Sequence, residues 1–188
     1  MKLLLSKIIR KSSKYLKNIG NIFKIILIKF KYPSVSISFN TRLQKGASIR
    51  CSDNSRIDIS NSIISSGTLI VADHGGVISI ENSYIGRNSV IVSRKSITIK
   101  SNCQIAEMVV IRDQNHNFGK SDLTISEQGF TNSSIIIGKN VWLATKSTIL
   151  AGSIIGNNTV VGANAVVRGE LDSNTVYVGV PAKKIRNF

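Results

Sequence analysis

From Ile137 the chain repeats every six residues: IGKNVW, LATKST, ILAGSI, IGNNTV, VGANAV, VRGELD. A branched aliphatic opens each unit: Ile137, Leu143, Ile149, Ile155, Val161 and Val167. Four places further on stands a small or branched residue: Val141, Ser147, Ser153, Thr159, Ala165 and Leu171. Six matches in register, with no insertion, leave few folds open. The period is neither the 3.6 of a helix nor the 2 of a strand, and it points to a parallel β-helix of hexapeptides. Each hexapeptide makes one flat face, its aliphatic pointing inward, and three close a triangular coil of about 18 residues. No unit buries its aliphatic alone, so stability comes from stacking coils about 4.8 Å apart. Gly138, Ala144, Gly156 and Gly162, each just after an aliphatic, are expected to let the chain bend at a corner. The narrow interior excludes large side chains, in keeping with an aromatic content of 6%.

Three further segments are expected around this stack. Residues 1–33 read as helix: Leu4, Leu5, Ile8, Ile9, Tyr15, Leu16, Ile19, Ile22, Phe23, Ile26, Leu27 and Phe30 fall at helical spacing, and Pro33 ends the run. Gly20 is a point where it could divide. Residues 34–84 are strand-rich with Gly, Asn, Asp and Ser turns but keep the register imperfectly. The register tightens at Ile85 and Ile91, then slips to Ile99, Ile105 and Ile111. Between Ile111 and Ile137 the hexapeptide pattern lapses, so residues 112–134 are expected to leave a corner as a loop, where function is usually placed. The β-helix thus spans 34–178, and 179–188 form a C-terminal tail.

The net charge of +15 is unevenly spread. Nine basic residues and no acid lie in residues 1–32, while the rest carries 16 basic and 10 acidic residues. Three readings of the N-terminal segment stand: a helical cap whose apolar face covers the end of the stack or a neighbouring subunit, a membrane-surface helix with a basic polar face, or a patch for an anionic saccharide. The lysines follow a helix face and no nucleic-acid-binding motif appears, which argues against DNA or RNA as partner. No continuous apolar stretch has the length of a signal core or of a bilayer span. The cysteines, Cys51 and Cys103, are far apart, and Cys103 falls on a small inward position, so a buried free thiol and a reducing cytoplasm are expected. Two histidines, two distant cysteines and no HExxH exclude a recognisable metal site, and no glycine-rich phosphate loop is present.

The string IIIGKNVWLATKSTILAGSIIGNNTVVGANAVV, followed by VYVGVPAKKI, resembles the C-terminal signature of the hexapeptide-repeat acyltransferases. The resemblance covers about residues 78–186 and is most specific over 135–186. It implies a left-handed β-helix, a handedness that spacing alone does not give. It implies a homotrimer with active sites between subunits, and acetyl-CoA as co-substrate. In that family a His at the place of His116, in IRDQNHNF, is the base that deprotonates an acceptor hydroxyl; imidazole, with a pKa near 6.5, suits the task. His74, before Gly75-Gly76, lacks the match and reads as a turn residue. Asp113 could orient the His116 ring or cap a turn. Asn115 and Asn117 could place the acceptor or shape the turn. The resemblance sets Trp142 in the cleft at a turn, against acceptor or pantetheine, and makes the amide of Ala144 the donor to the thioester carbonyl, although Leu143-Ala144 departs from the usual Ile-Gly. Gly162 and Ala163 let the pantetheine arm lie flat. Gly179, Val180, Pro181 and Ala182 resemble the motif that cups the adenine, with Lys183, Lys184 and Arg186 toward phosphates or simply solvated.

The expected function is transfer of acetyl from acetyl-CoA to a sugar hydroxyl of a capsular, O-antigen or related surface glycan or its lipid-linked precursor. The same scaffold would serve a small acceptor such as an antibiotic, serine or an amino-sugar nucleotide, or a scaffold protein without activity. The expected place is the cytoplasm, at the inner face of the membrane where residues 1–32 touch it.

Overall fold

The computed structural model describes residues 19–52 and 54–188, so the first 18 residues of the N-terminal segment lie outside the described part. The remainder is a left-handed β-helix capped by one helix, α1, over residues 19–31. Gly20 is helical, and the residues before 19, on which a division there would turn, lie outside the described part.

Three parallel sheets form the faces. The first runs from Val35–Ile37 through Arg56–Ser60, Val77–Glu81, Ser96–Ile99, Ile135–Ile137 and Ile154–Ile155 to Glu170–Leu171. The second runs from Arg42–Leu43 through Trp142–Leu143 to Thr175–Val178 and ends on Lys183–Asn187. The third runs from Ser48–Cys51 through Val110–Arg112 to Val166–Val167. Register stacks like on like. Ile64, Ile85, Ile105, Leu143 and Val161 form one inward column, and Ile49, Ile70, Ile91, Ile111, Ile149 and Val167 another. All of these except Ile49, itself buried, are completely inaccessible to solvent, as the period of six requires.

The corners obey a rule that differs from the expectation. The glycines after the aliphatics do not make the bends. Gly156 has an ordinary φ, and a Cβ on it would lie 2.4 Å from the Ser173 nitrogen of the next coil, so these positions are small because coils touch there. The bend comes instead from left-handed residues. Between the first and second faces they are Asn61, Asn82, Asn102, Asn140, Asn158 and Asn174, with φ between 40° and 65°. Asn tolerates this region better than other residues with a Cβ. Their amides join in a ladder: Asn82 donates to Asn102 at 2.6 Å, Asn140 to Asn158 at 3.0 Å and Asn158 to Asn174 at 2.9 Å.

The corner between the third and first faces absorbs every large change in coil length. From the third-face aliphatic to the next first-face strand the chain advances seven residues in the first two coils, five in the third and fifth and three in the sixth, and in the fourth coil it spends residues 113–134. The segment expected to be a plain loop is a hairpin arm: Gln114–His116 pairs antiparallel with Phe130–Asn132, and residues 117–129 form its tip. The imperfect register over 34–84 has the same origin, longer third corners at 52–55 and 73–76 around regular faces.

Both ends of the stack are closed. At the start, α1 satisfies the unpaired edge of the first coil: the Asn21 amide donates to the Thr41 carbonyl at 2.8 Å and accepts from the Leu43 N–H at 2.8 Å, and Lys24 Nζ donates to the Gln44 and Ala47 carbonyls. Ile25, fully buried, plugs the core. At the finish, the expected tail is a strand, Lys183–Asn187, turned back antiparallel on Thr175–Val178.

Candidate active site

The expected site residues fall on two separate corners. His116 lies on the arm at the third corner, its ring exposed and 4.1 Å, centroid to centroid, from the Phe130 ring directly across the hairpin. Phe130 in turn lies under the Arg94 guanidinium, 3.9 Å from its centroid, and Arg94 Nε donates to Asp73 Oδ1 at 3.0 Å. Asp73, Arg94 and the arm come from successive coils of the same corner.

Asp113 does not orient His116. Its side chain points into the coil, fully buried, where Oδ2 accepts from Ser93 Oγ at 2.6 Å and the Lys95 N–H at 2.9 Å, and Oδ1 from the Arg94 N–H at 2.8 Å. It continues the inward column of Cys51, Ala72 and Ser93, and the turn-capping alternative is the one its contacts match. Asn117 is likewise structural: its amide donates to the Gln128 carbonyl at 3.0 Å and accepts from Thr131 Oγ1 at 2.6 Å. Asn115 is exposed and opposite Thr131, with no side-chain bond among the described residues. His74 is an exposed turn residue with φ 51°.

The remaining residues gather down the corner between the second and third faces. Trp142 sits on a strand, not at a turn, and points outward with 51% of its surface exposed, stacked between Gln104 and Val160. Ala144 is buried, and its N–H already donates to the Val161 carbonyl at 2.9 Å, so it has no donor for a ligand. The amide of Thr145, one residue on, and that of Ala163 one coil later have no backbone partner. Both sit in turns at the same corner. Gly162 is pinched by the next coil, a Cβ there meeting Val178 at 2.7 Å. The Gly179–Ala182 turn docks just below: Val166 N–H donates to the Gly179 carbonyl at 3.1 Å and Ala182 N–H to the Val166 carbonyl at 2.8 Å. Gly179, at φ 96°, is in a region that disfavours a side chain. Lys183, Lys184 and Arg186 are exposed on the last strand, and only Lys184 is ion-paired, to Asp172 Oδ2 at 3.0 Å. That contact holds the Asp172 carboxyl below its ordinary value.

Cys103 is buried and free, its thiol donating to the Gly138 carbonyl at 3.0 Å, and burial pushes its pKa up, which makes it inert packing. No group of three or more His, Cys, Asp or Glu among the described residues could hold a metal. Sequence reasoning missed Thr145, which a Thr after the small residue does not advertise, and the Asp73–Arg94–Phe130 chain, whose members are distant in sequence.

His116, on the arm that leaves the third corner after the fourth coil, and Trp142, on the second face of the fifth, therefore stand on different sides of the prism. Comparisons with known proteins bear on what such a pair of corners does. The family described as bacterial transferase hexapeptide (six repeats) matches residues 134–169. A putative lipopolysaccharide biosynthesis O-acetyl transferase, WbbJ, of Escherichia coli K12 is 36% identical over 160 residues, covering 81% of this chain and 72% of WbbJ. A dTDP-4-amino-4,6-dideoxy-D-glucose acyltransferase of Escherichia coli is 29% identical, covering 80% of each. Among solved structures, a single-site mutant of AntD, an N-acyltransferase from Bacillus cereus in complex with dTDP-4-amino-4,6-dideoxyglucose and coenzyme A, superimposes with a TM-score of 0.69 at 23% identity over 86% of both chains. With its six-residue repeat, its triangular coil and a relative of this identity and coverage, the chain belongs to the hexapeptide-repeat acyltransferases.

Proposed function

We propose that the protein transfers acetyl from acetyl-CoA to a hydroxyl of a sugar, in a capsular, O-antigen or related surface glycan or its lipid-linked precursor. The observation that carries this is the exposed imidazole of His116 on an arm, beside an open third corner, in a chain whose relatives include a lipopolysaccharide O-acetyl transferase.

His116 takes the proton of the acceptor hydroxyl, and the oxygen attacks the thioester carbonyl. A tetrahedral intermediate forms and collapses with loss of the coenzyme A thiolate, which recovers the proton from the imidazolium. A C–O bond replaces the C–S bond and no covalent enzyme intermediate arises. Phe130 fixes the ring's attitude. The free amides of Thr145 and Ala163 meet the carbonyl and the pantetheine arm, Trp142 walls the cleft, and the Gly179–Ala182 turn receives the adenine end, with Lys183 and Arg186 toward phosphate. Because the imidazole and this groove lie on different corners, the site closes only when a second copy brings its groove to the first copy's arm, and a homotrimer does this three times over. We place the protein in the cytoplasm at the inner face of the membrane.

His116→Ala tests the assignment. Thiol release from acetyl-CoA in the presence of acceptor should fall by about 10²–10⁴-fold, with acetyl-CoA affinity and oligomeric mass unchanged. Full turnover by that variant would end the base assignment. A second reading, N-acylation of an amino-sugar nucleotide, is favoured by the likeness to a dTDP-amino-sugar acyltransferase. A mass-shift assay on both acceptor classes separates the two.

A further inference from the structure

The helix that closes the stack has two unlike sides. Asn21, Lys24, Ile25 and Ile28 face the first coil, through the bonds to Thr41, Leu43, Gln44 and Ala47. Burial there lowers the pKa of Lys24, which is committed to the two carbonyls and is not part of any outer charge. The opposite side is apolar and in solvent: Ile19, Phe23, Ile26, Leu27 and Phe30 are 48% to 88% exposed. At 100° per residue these occupy a sector of about 140° together with Ile22, centred opposite the side that grips the coil. Lys29 and Lys31 stand one on each border of that sector. The 18 residues that lead into α1 carry Lys2, Lys7, Arg10, Lys11, Lys14 and Lys17 and no acid.

A soluble surface with no partner does not place two phenylalanines and three aliphatics in one stripe. We infer that this face of α1 lies in the interface of an anionic lipid surface, so that the β-helix stands end-on to the membrane. Two of the three alternatives offered by the sequence, cap and membrane helix, are thus one element seen from its two sides. Apolar rings and aliphatics enter the acyl boundary, flanking lysines meet headgroup phosphates, and the basic leader adds charge attraction. Charge complementarity chooses lipid over a second copy of the chain. Another copy would bring its own basic segment to the same place, where the two like charges would repel. Direction favours lipid as well. The stripe points along the coil axis, away from the end of the stack, whereas copies that share an arm and a groove meet side to side. All helices of such an assembly then present their stripes in one plane.

The arm leaves the fourth coil, three coil spacings of about 4.8 Å from the first. With the thickness of a helix, about 10 Å, His116 works roughly 25 Å above the lipid. That height suits a sugar held out from a lipid anchor by intervening residues and not one joined directly to it. The height rests on the proposed transfer reaction, while the docking does not.

Flotation of the full chain with vesicles of phosphatidylcholine alone, or with about one-third phosphatidylglycerol, tests the docking. The chain should float with the anionic vesicles and less with the neutral ones. Phe23→Ser/Phe30→Ser leaves every charge in place and touches no residue that grips the coil, so the melting curve should hold while the bound fraction falls at least ten-fold. Lys29→Gln/Lys31→Gln should weaken binding and reduce its salt dependence. Equal flotation of the double serine variant overturns the proposal, as does failure of the wild-type chain to float. A drop in oligomeric mass in the serine variant, with lipid binding intact, would assign the stripe to a second copy instead. Transfer to a soluble acceptor by the serine variant at the wild-type rate keeps this outcome separate from the fate of the His116 assignment.

Discussion

Asp113 is three residues from His116 and belongs to the coil, not to the reaction, and replacing it measures the difference. Asp113→Ala removes a fully buried acceptor and leaves the N–H groups of Arg94 and Lys95 without partners, at 2.8 and 2.9 Å from the lost oxygens, while Ser93 Oγ, 2.6 Å from the lost Oδ2, keeps only the Val77 carbonyl at 3.2 Å. A hydrogen bond to a charged group contributes about 1.5–3 kcal/mol. The three do not add fully, because burying the carboxylate is itself costly and water can enter the space left behind. A net loss of about 3–5 kcal/mol follows, by analogy with breaking other buried charged contacts. For a chain of this length each kcal/mol lowers Tm by about 2–4 °C, so the variant should melt on the order of 10 °C early. Asp113→Asn keeps the shape. If its oxygen takes the place of Oδ2 it retains Ser93 and Lys95, and its nitrogen then confronts the Arg94 N–H, at a cost of about 1–3 kcal/mol. Urea unfolding at fixed protein concentration, read by far-UV circular dichroism, gives both values, and thiol release gives the rates. The reasoning fails if Asp113→Ala unfolds within about 1 kcal/mol of wild type. It fails differently if Asp113→Asn keeps its stability and loses transfer a hundred-fold, because the carboxylate would then be acting on the imidazole after all.

Phe130→Ala removes the ring against which His116 rests, and kcat should fall about ten-fold with little change in KM for acetyl-CoA, while Phe130→Tyr restores it; equal loss in KM and kcat would point to a binding role. Asn158→Ala sets an alanine at φ 56° and breaks the ladder bonds on either side, so urea unfolding should show a loss of about 1–2 kcal/mol, less for Asn158→Gly. Lys184 depresses the Asp172 pKa, so the contact stabilises the last strand fully above the ordinary carboxylate value and loses that contribution as pH falls through the lowered one. Protection of the amides over 183–187, taken against intrinsic exchange at each pH, should therefore fall below about pH 4, and Asp172→Asn should abolish that step.

The faces were legible because they are invariant. Second-face and third-face aliphatics are six residues apart in every coil, from Leu43 and Ile49 to Val161 and Val167. The early coils looked irregular because a search for aliphatics at constant period counts straight through the third corner, where the length changes. The asparagine corner would have carried the register through. In Asn61, Asn82, Asn102, Asn140, Asn158 and Asn174 the left-handed residue stands three places before the inward residue of the second face, whatever the preceding corner does. Candidates for the site were legible only where chemistry resides in a residue type, and His116 and Trp142 could be named as candidates. The role of Asp113 could not, because three residues along an extended strand end that then turns can point a side chain either into the coil or out to the arm. Ala144 against Thr145 turns on which N–H the next coil consumes, a backbone fact no side chain records.

The division between corners has a physical logic. The asparagine corner is held by short amide ladders, Asn82 to Asn102 and Asn140 through Asn158 to Asn174, which an insertion there would break. The corner that carries Thr145, Ala163 and the Gly179–Ala182 turn keeps one spacing, six residues between the second-face and third-face aliphatics of every coil. The large changes in length fall at the third corner. It carries the arm with His116, and coil by coil it carries Asp73, Arg94 and Asp113, which anchor the arm's base and the ring beside the imidazole. A reactive group placed where the fold tolerates length, and a binding groove placed where it does not, end up on different edges of a rigid prism. In the proposed reaction the two meet across an interface, and that reaction makes assembly of copies a requirement and not an accessory to stability.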